Sequence, residues 1–390
     1  MFKAGADARP ITPTLDGAPV YLAGYGTNRP ATTIHDELYV RSLAVQSDHD
    51  PPVVITACDL IGLPLDPTAP DRHVVACTHT HHGPDTIGLW GRPEDGITGR
   101  DGAYVATVRE AIAASRVAAL EALEPARLRV GSIAVPDLIR NYRDPDIVDD
   151  ELSVIRFEHP SGEAIATFAC YPCHPEIVDP ASTDLTGDWA GHLCRELEAR
   201  GSGVAVVTVG ALGGMLSPGT DAKDHAEAER WGAVLAEAAC GALGAPASER
   251  PIRFARRTLT VPMENPKYVL ALESGLVAAG LLVDGAITTT TSVLDLGPAA
   301  IAFVPGELFP RLGFRLKDAL RAAGATVPIV VGLADDELGY IVPADEFRFP
   351  ADYLDPGDQY EESMSVGPAI GPAVCAAVED LIGELAQLDA

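Results

Sequence analysis

The sequence predicts an α/β protein with mixed β-sheets flanked by helices. Short Val- and Ile-rich runs alternate with longer stretches of helical periodicity. One run, Val204–Val209, is almost continuously apolar, as strands covered on both faces are. In chain order, Leu38–Val45, Val53–Asp59 and His73–Thr80 read as strands bounded by Pro, Asp and Gly. Asp101–Leu123 reads as an Ala-rich helix, Arg127–Val135, Leu152–Phe157 and Ala164–Ala169 as strands, and Asp188–Arg200 and Ala222–Leu243 as helices either side of Val204–Val209. The rhythm then repeats: strand Ile252–Val261, helix Pro266–Ala279, strands Thr288–Leu296 and Ala300–Val304, helix Glu307–Ala323 and strand Val327–Leu333. In the helix after Pro305-Gly306, Leu308, Leu312, Leu316 and Leu320 form one apolar stripe. A closing helix carries Val374, Val378, Leu381, Ile382 and Leu385 at helical spacing.

At 390 residues the chain is long enough for two or three domains or one large α/β unit. A single domain over 1–390 is expected, with a subdomain boundary in the Ala-, Gly- and Pro-rich stretch Gly241–Pro251. Ala344–Glu362 is the notable loop, with seven acids against one Arg. Its aromatics Phe347, Phe349, Tyr353 and Tyr360 favour an ordered lid. Lys and Arg total 28 against 56 Asp and Glu, a net charge of −28. That excess argues against nucleic acid, whose binders need basic surface, and against an anionic membrane surface. The apolar runs Val204–Val209 and Gly275–Val283 fall far short of the roughly 20 residues of a membrane span. Met1–Pro13 has no apolar core of a signal peptide, and seven cysteines leave one over in any full disulfide set. A cytoplasmic protein is expected.

The densest chemical signal is Cys77-Thr-His79-Thr-His81-His82-Gly-Pro-Asp85, at a strand end. In an extended chain His79 and His81 point to the same side, so two imidazoles there can bind or flank a transition metal. Cys170-Tyr-Pro-Cys173-His174 matches both a haem-attachment and a redox C-x-x-C pattern. Pro172 and Pro175 argue against the helix that a thioredoxin-like pair opens, and the plainer reading is a strand delivering His174 to a site. Val304-Pro-Gly-Glu307 ends another strand, and two His with one carboxylate make a catalytic zinc set. Ser217 follows a Gly-rich stretch without the G-x-S-x-G elbow, which favours turn chemistry.

Together these motifs resemble the catalytic domain of the neutral (non-lysosomal) ceramidase family, in order along almost the whole chain. The likeness opens with Gly5-Ala-Asp-Ala-Arg-Pro-Ile-Thr-Pro13, Leu22-Ala-Gly-Tyr-Gly26 and His35-Asp-Glu-Leu-Tyr39, and is most specific at Thr78-His-Thr-His81. The resemblance implies a ceramidase-like catalytic domain without the C-terminal immunoglobulin-like domain. It implies one zinc ion per chain, held by His79, His174, Glu307 and, as a distant or exchangeable ligand, Tyr340 in Gly339-Tyr340. It assigns catalysis to His81, with Tyr360 in Gln359-Tyr360-Glu361 and Arg143 in Asn141-Tyr142-Arg143 stabilising the oxyanion. The reaction implied is hydrolysis of a linear amide. The acidic loop and the expected cytoplasmic location point to a small soluble N-acyl substrate instead of a membrane sphingolipid. Two other readings stand beside it: a metallo-β-lactamase-like two-metal hydrolase, and a non-enzymatic metal or redox module built on Cys170, Cys173 and His174.

Overall fold

The computed structural model describes residues 2–47, 50–248, 250–277 and 282–387. The first sheet contains β1 (Phe2–Pro10), β2 (Tyr39–Gln46), β3 (Val53–Cys58), β4 (His73–Cys77), β5 (Glu124–Ala134), β6 (Glu151–Glu158), β7 (Ala164–Tyr171) and β8 (Val204–Val209). Its order is β8-β7-β6-β5-β1-β2-β3-β4. The second contains β9 (Arg253–Pro262), β10 (Ala286–Asp295), β11 (Ala299–Phe303) and β12 (Val327–Val331) in that order, with Leu282–Val283 added on β10. Three pairs are parallel, β3 with β4, β7 with β8 and β11 with β12; the other neighbours in these sheets are antiparallel.

Side-chain alternation makes the sheets the two inner layers of a four-layer sandwich. Ile55, Phe168 and Val206 of the first sheet meet Leu294, Ile301, Phe303 and Val331 of the second. On the outer face of the first sheet, Ala169, Val207 and Val209 pack under helices α1 (Gly102–Glu121), α2 (Asp188–Ala199) and α3 (His225–Ala242), which contribute Val108, Trp189, Leu193 and Trp231. On the outer face of the second, Val293, Ala302 and Val330 meet Leu312, Leu316 and Leu320 of α5 (Pro310–Ala322) and Val374, Val378 and Leu381 of α7 (Ile370–Gln387). Two shorter helices, α4 (Pro266–Glu273) and α6 (Tyr360–Ser363), lie on the connections. Among the described residues no helix is long and apolar enough to cross a membrane.

Several boundaries differ from the sequence reading for identifiable reasons. β1 was not expected, because its Ala- and Gly-rich sequence has little apolar alternation. The small residues serve packing: a Cβ on Gly5 would meet the Ala119 carbonyl oxygen of α1 at 2.3 Å. The strand expected to reach Thr80 stops at Cys77, and the helix expected from Glu307 starts at Pro310, whose ring suits the first helical position. Glu307–Leu308 instead pairs in parallel with Tyr340–Ile341. Helix α4 ends at Glu273; Ala278 and Ala279 of its expected span lie outside the described residues. Ser217 sits in a three-residue strand against Ile139–Asn141 and not in a turn. The 344–362 loop closes on the one-turn helix α6, and in it Phe347 is buried against Phe349, ring centroids 5.2 Å apart.

Candidate active site

The C-terminal ends of the parallel strands β4, β8, β11 and β12 are laced together. Cys77 N–H donates to the Leu333 carbonyl (3.1 Å), Val304 N–H to Val331 (2.9 Å), and Gly332 N–H to Val209 (3.0 Å). Ligand sites in α/β sheets form beyond such carboxyl ends. Here β4 leads to His79 and His81, β7 to His174, β11 to Glu307 and β12 to Tyr340. Glu307 stands opposite Tyr340 in the short parallel pair, so two of the expected ligands are fixed as cross-strand neighbours. Gly306, at φ 150°, makes the turn that this pairing needs, and its Cβ would meet the Gly339 carbonyl oxygen at 2.5 Å.

Strand alternation does not bring His79 and His81 together, contrary to the expectation from an extended chain. Both lie beyond the strand, and His79 is left-handed at φ 65°. That costly conformation is held by His79 N–H to the Leu60 carbonyl (2.8 Å) and His81 N–H to the Pro175 carbonyl (3.2 Å). The rings converge all the same: centroids are 5.1 Å apart for His79 and His81, 5.2 Å for His79 and His174, and 5.6 Å for His81 and His174.

The three imidazoles are not equivalent. His79 Nδ1 is bonded to the Ile61 carbonyl (2.6 Å) and His174 Nδ1 to the Leu216 carbonyl (2.8 Å). A carbonyl accepts only N–H, so both rings present a bare Nε2 or are protonated there. These nitrogens converge on Glu307 Oε2, at 3.5 Å from His79 and 3.0 Å from His174. His81 Nδ1 has no hydrogen-bond partner and faces Glu176 Oε2 at 3.4 Å. Two imidazoles oriented by backbone carbonyls around one carboxylate have the donor chemistry and the outer-shell bonding that could hold a transition-metal ion. The side-chain nitrogens of His79, His81 and His174 also lie within 4.8 Å of one another.

Electrostatics separate the roles further. Burial works to raise the Glu307 carboxyl, but His79 and His174 outweigh it and hold the acid below its usual range. Burial works to lower His174, but Glu307 holds its proton affinity up. His81 is pushed well below the usual imidazole value, first by burial and then by His79 and His174, and is therefore neutral near pH 7. Tyr360 is raised, first by desolvation and then by Glu307, and keeps its proton. The group opens on a cavity of about 480 Å³ lined by His79, His81, Glu176, Glu307, Tyr340 and Tyr360 among the polar residues, and by Ile61, Ile87, Trp90 and Leu272 among the apolar ones.

Six of the seven expected site residues thus meet at one place: five line the cavity, and His174 stands behind Glu307. Tyr340 and Tyr360, 20 positions apart in sequence, have ring centroids 6.0 Å apart. Arg143 is not among the cavity-lining residues. It binds Glu361 (2.9 Å) and Glu362 (2.8 Å) and stacks over Phe309. Sequence reasoning missed Glu176, two residues after His174, and Tyr25, whose ring meets His81 edge-on at 4.8 Å. It also missed Glu337, which lines the cavity and is raised well above its usual value, first by burial and then by Glu307. Tyr25 lay inside a quoted motif, whereas isolated glutamates give no signal in a chain so rich in acids. Asp85, which closes the His-rich motif, is spent on accepting from the N–H groups of Ile87, Gly88 and Trp90. Cys170 and Cys173 are buried thiols whose ionisation burial opposes, unlike redox-active pairs.

No family model and no curated protein matches the sequence. Solved structures do. A crystal structure of neutral ceramidase from Pseudomonas aeruginosa superposes at a TM-score of 0.76 with 18% identity, over 99% of this chain and 74% of that one. The chain has the fold of the neutral ceramidases. A ceramidase complexed with C2 matches equally, at TM-score 0.76 and 18% identity, over 99% of this chain and 75% of that one. The ceramidase-like fold therefore spans the whole chain, in agreement with the sequence resemblance.

Proposed function

We propose that this protein is a single-domain, zinc-dependent hydrolase that cleaves the linear amide bond of a small N-acyl compound. The observation that carries the reading is the asymmetry of the three histidines. Two are locked by carbonyls with Nε2 towards Glu307, and the third is neutral and uncommitted at the edge of an apolar cavity. His79, His174 and Glu307 would hold the metal, with Tyr340 as the further, exchangeable ligand. When bound, zinc supplies Lewis-acid activation of water and of the amide carbonyl.

The chain's own groups supply the rest. His81 takes the proton of the attacking water and returns it to the departing nitrogen, so that C–O forms, C–N breaks, and a carboxylic acid and an amine result. Glu176 beside Nδ1 favours the imidazolium formed in between. The protonated Tyr360 hydroxyl donates to the developing oxyanion. Arg143, assigned by the resemblance to the oxyanion, acts here through Tyr360, because its partners Glu361 and Glu362 belong to the same one-turn helix. The apolar wall receives the acyl chain. Seven free cysteines suit a reducing compartment such as the cytoplasm.

Kinetics of the zinc-loaded protein on N-acyl amines, N-acyl amino acids and ceramide in detergent micelles test the proposal. A short N-acyl compound is expected to have the highest kcat/KM. Ceramide as the best substrate would overturn the substrate half, and no turnover across the panel would overturn the reaction.

A further inference from the structure

A second histidine cluster stands away from the cavity, where the chain segment before β2 meets the starts of α2 and α3. His35 follows the two-residue strand Thr33–Ile34, His192 lies in α2, and His225 opens α3. His35 stacks flat on His225, ring centroids 3.6 Å apart and planes within 3°, and its centroid is 6.3 Å from that of His192. Side-chain donor atoms of His35, Asp36 and His192 lie within 4.8 Å of one another.

The bonding of these rings is that of unfilled ligands. His35 Nδ1 pairs with Asp36 Oδ2 at 2.9 Å, which fixes the tautomer and leaves Nε2 bare. His225 Nε2 pairs with Asp184 Oδ2 at 3.0 Å, and its Nδ1 is buried without a partner. His192 is 8% exposed, and its Nε2 is likewise buried without a partner. A buried polar atom without a partner loses its hydration uncompensated, so two in one cluster call for a ligand. A carboxylate on the far nitrogen of a ligating imidazole is the usual outer shell of a metal site. Burial lowers His192 to about 4, so it keeps a lone pair at neutral pH. The helices hold it rigidly: a Cβ on Gly232 of α3 would meet the His192 Cβ at 2.5 Å. Asp36 also accepts from Thr186, from Gly187 N–H and from Arg195, which makes it better suited to orient His35 than to bind an ion itself.

We propose that His35 and His192, with His225 joining as its stack on His35 opens, form a second binding site for a borderline divalent transition metal such as zinc or nickel, separate from the cavity. Imidazole nitrogens select such ions over magnesium or calcium. The ion would tie the segment before β2 to α2 and α3. Thr186, which Asp36 holds, also contacts the His79–His82 segment through Thr80 and His82.

Calorimetric titration of Ni²⁺ into protein already carrying one equivalent of zinc tests this. One further equivalent is expected, with at least tenfold weaker binding in His192→Ala and in His35→Gln, whereas the zinc-free His174→Ala variant, which lacks a cavity ligand, should bind the same equivalent of Ni²⁺ with unchanged affinity. His35→Gln alters a partly exposed side chain, so it keeps the test valid where His192→Ala disturbs helix packing. No further equivalent, or one that survives His35→Gln unchanged, would overturn the assignment.

Discussion

Replacing Gly24 with alanine perturbs the proposed base without touching any ligand. Gly24 has φ +96°, and a Cβ there would lie 2.3 Å from His81 Cγ, 2.6 Å from Cβ and 2.7 Å from Cδ2. Ordinary carbon contacts need roughly 3.5–4.0 Å, so the imidazole must retreat by about 1 Å or more. The loop has little room to yield instead, because Ala23 N–H is bonded to the Gly83 carbonyl at 3.0 Å and Leu22 bridges Pro84. A left-handed alanine costs about 1–2 kcal/mol by itself, and a 1 Å misplacement of a catalytic group costs on the order of 100-fold in rate. Gly24→Ala is therefore expected to lose about 100-fold in kcat/KM, about 2.7 kcal/mol of transition-state stabilisation, and to unfold at lower urea. Zinc content should stay at wild type, since the His79, His174 and Glu307 contacts lie elsewhere. The assay is kcat/KM on the best substrate of the panel alongside elemental analysis. A variant within threefold of wild type, with unchanged stability, would refute both the close packing and the role of His81.

His174→Ala and Glu307→Ala should lose tightly bound zinc, whereas His81→Ala should keep it and lose most activity; full zinc in the first two would undo the ligand assignment. Lys317 is 4% exposed and binds Asp149 at 2.6 Å and Glu151 at 3.2 Å, so Lys317→Ala strands a buried carboxylate and should cost about 3–5 kcal/mol in urea unfolding. Asp59 is raised to about 6, because burial outweighs Arg41 and the Tyr39 N–H. Between its unfolded value of 3.8 and about 6 the native state binds the extra proton, so this group's contribution falls as pH rises through that window, by roughly 3 kcal/mol in full. Asp59→Asn should remove that slope, gaining on wild type between pH 4 and pH 7; a constant difference across those pH values would contradict it.

The sequence by itself determined most of the strands and helices, because burial on one or two faces imposes a period that local composition reveals. It also determined the ligand candidates at His79, His174 and Glu307, since each follows a strand and strand ends are where α/β chains place chemistry. Weakly patterned segments escaped: β1 is made of small residues whose purpose, close approach by α1, exists only once α1 is packed. The pairing of Glu307 with Tyr340, the left-handed turn at His79 and the approach of Glu176 to His81 were decided by tertiary structure alone. Each depends on groups far apart in the chain, held by backbone hydrogen bonds between loops. The same physics divides the histidines, because a ring's free nitrogen is chosen by the partner of its other nitrogen, and for His79 and His174 that partner is a carbonyl 18 and 42 residues away.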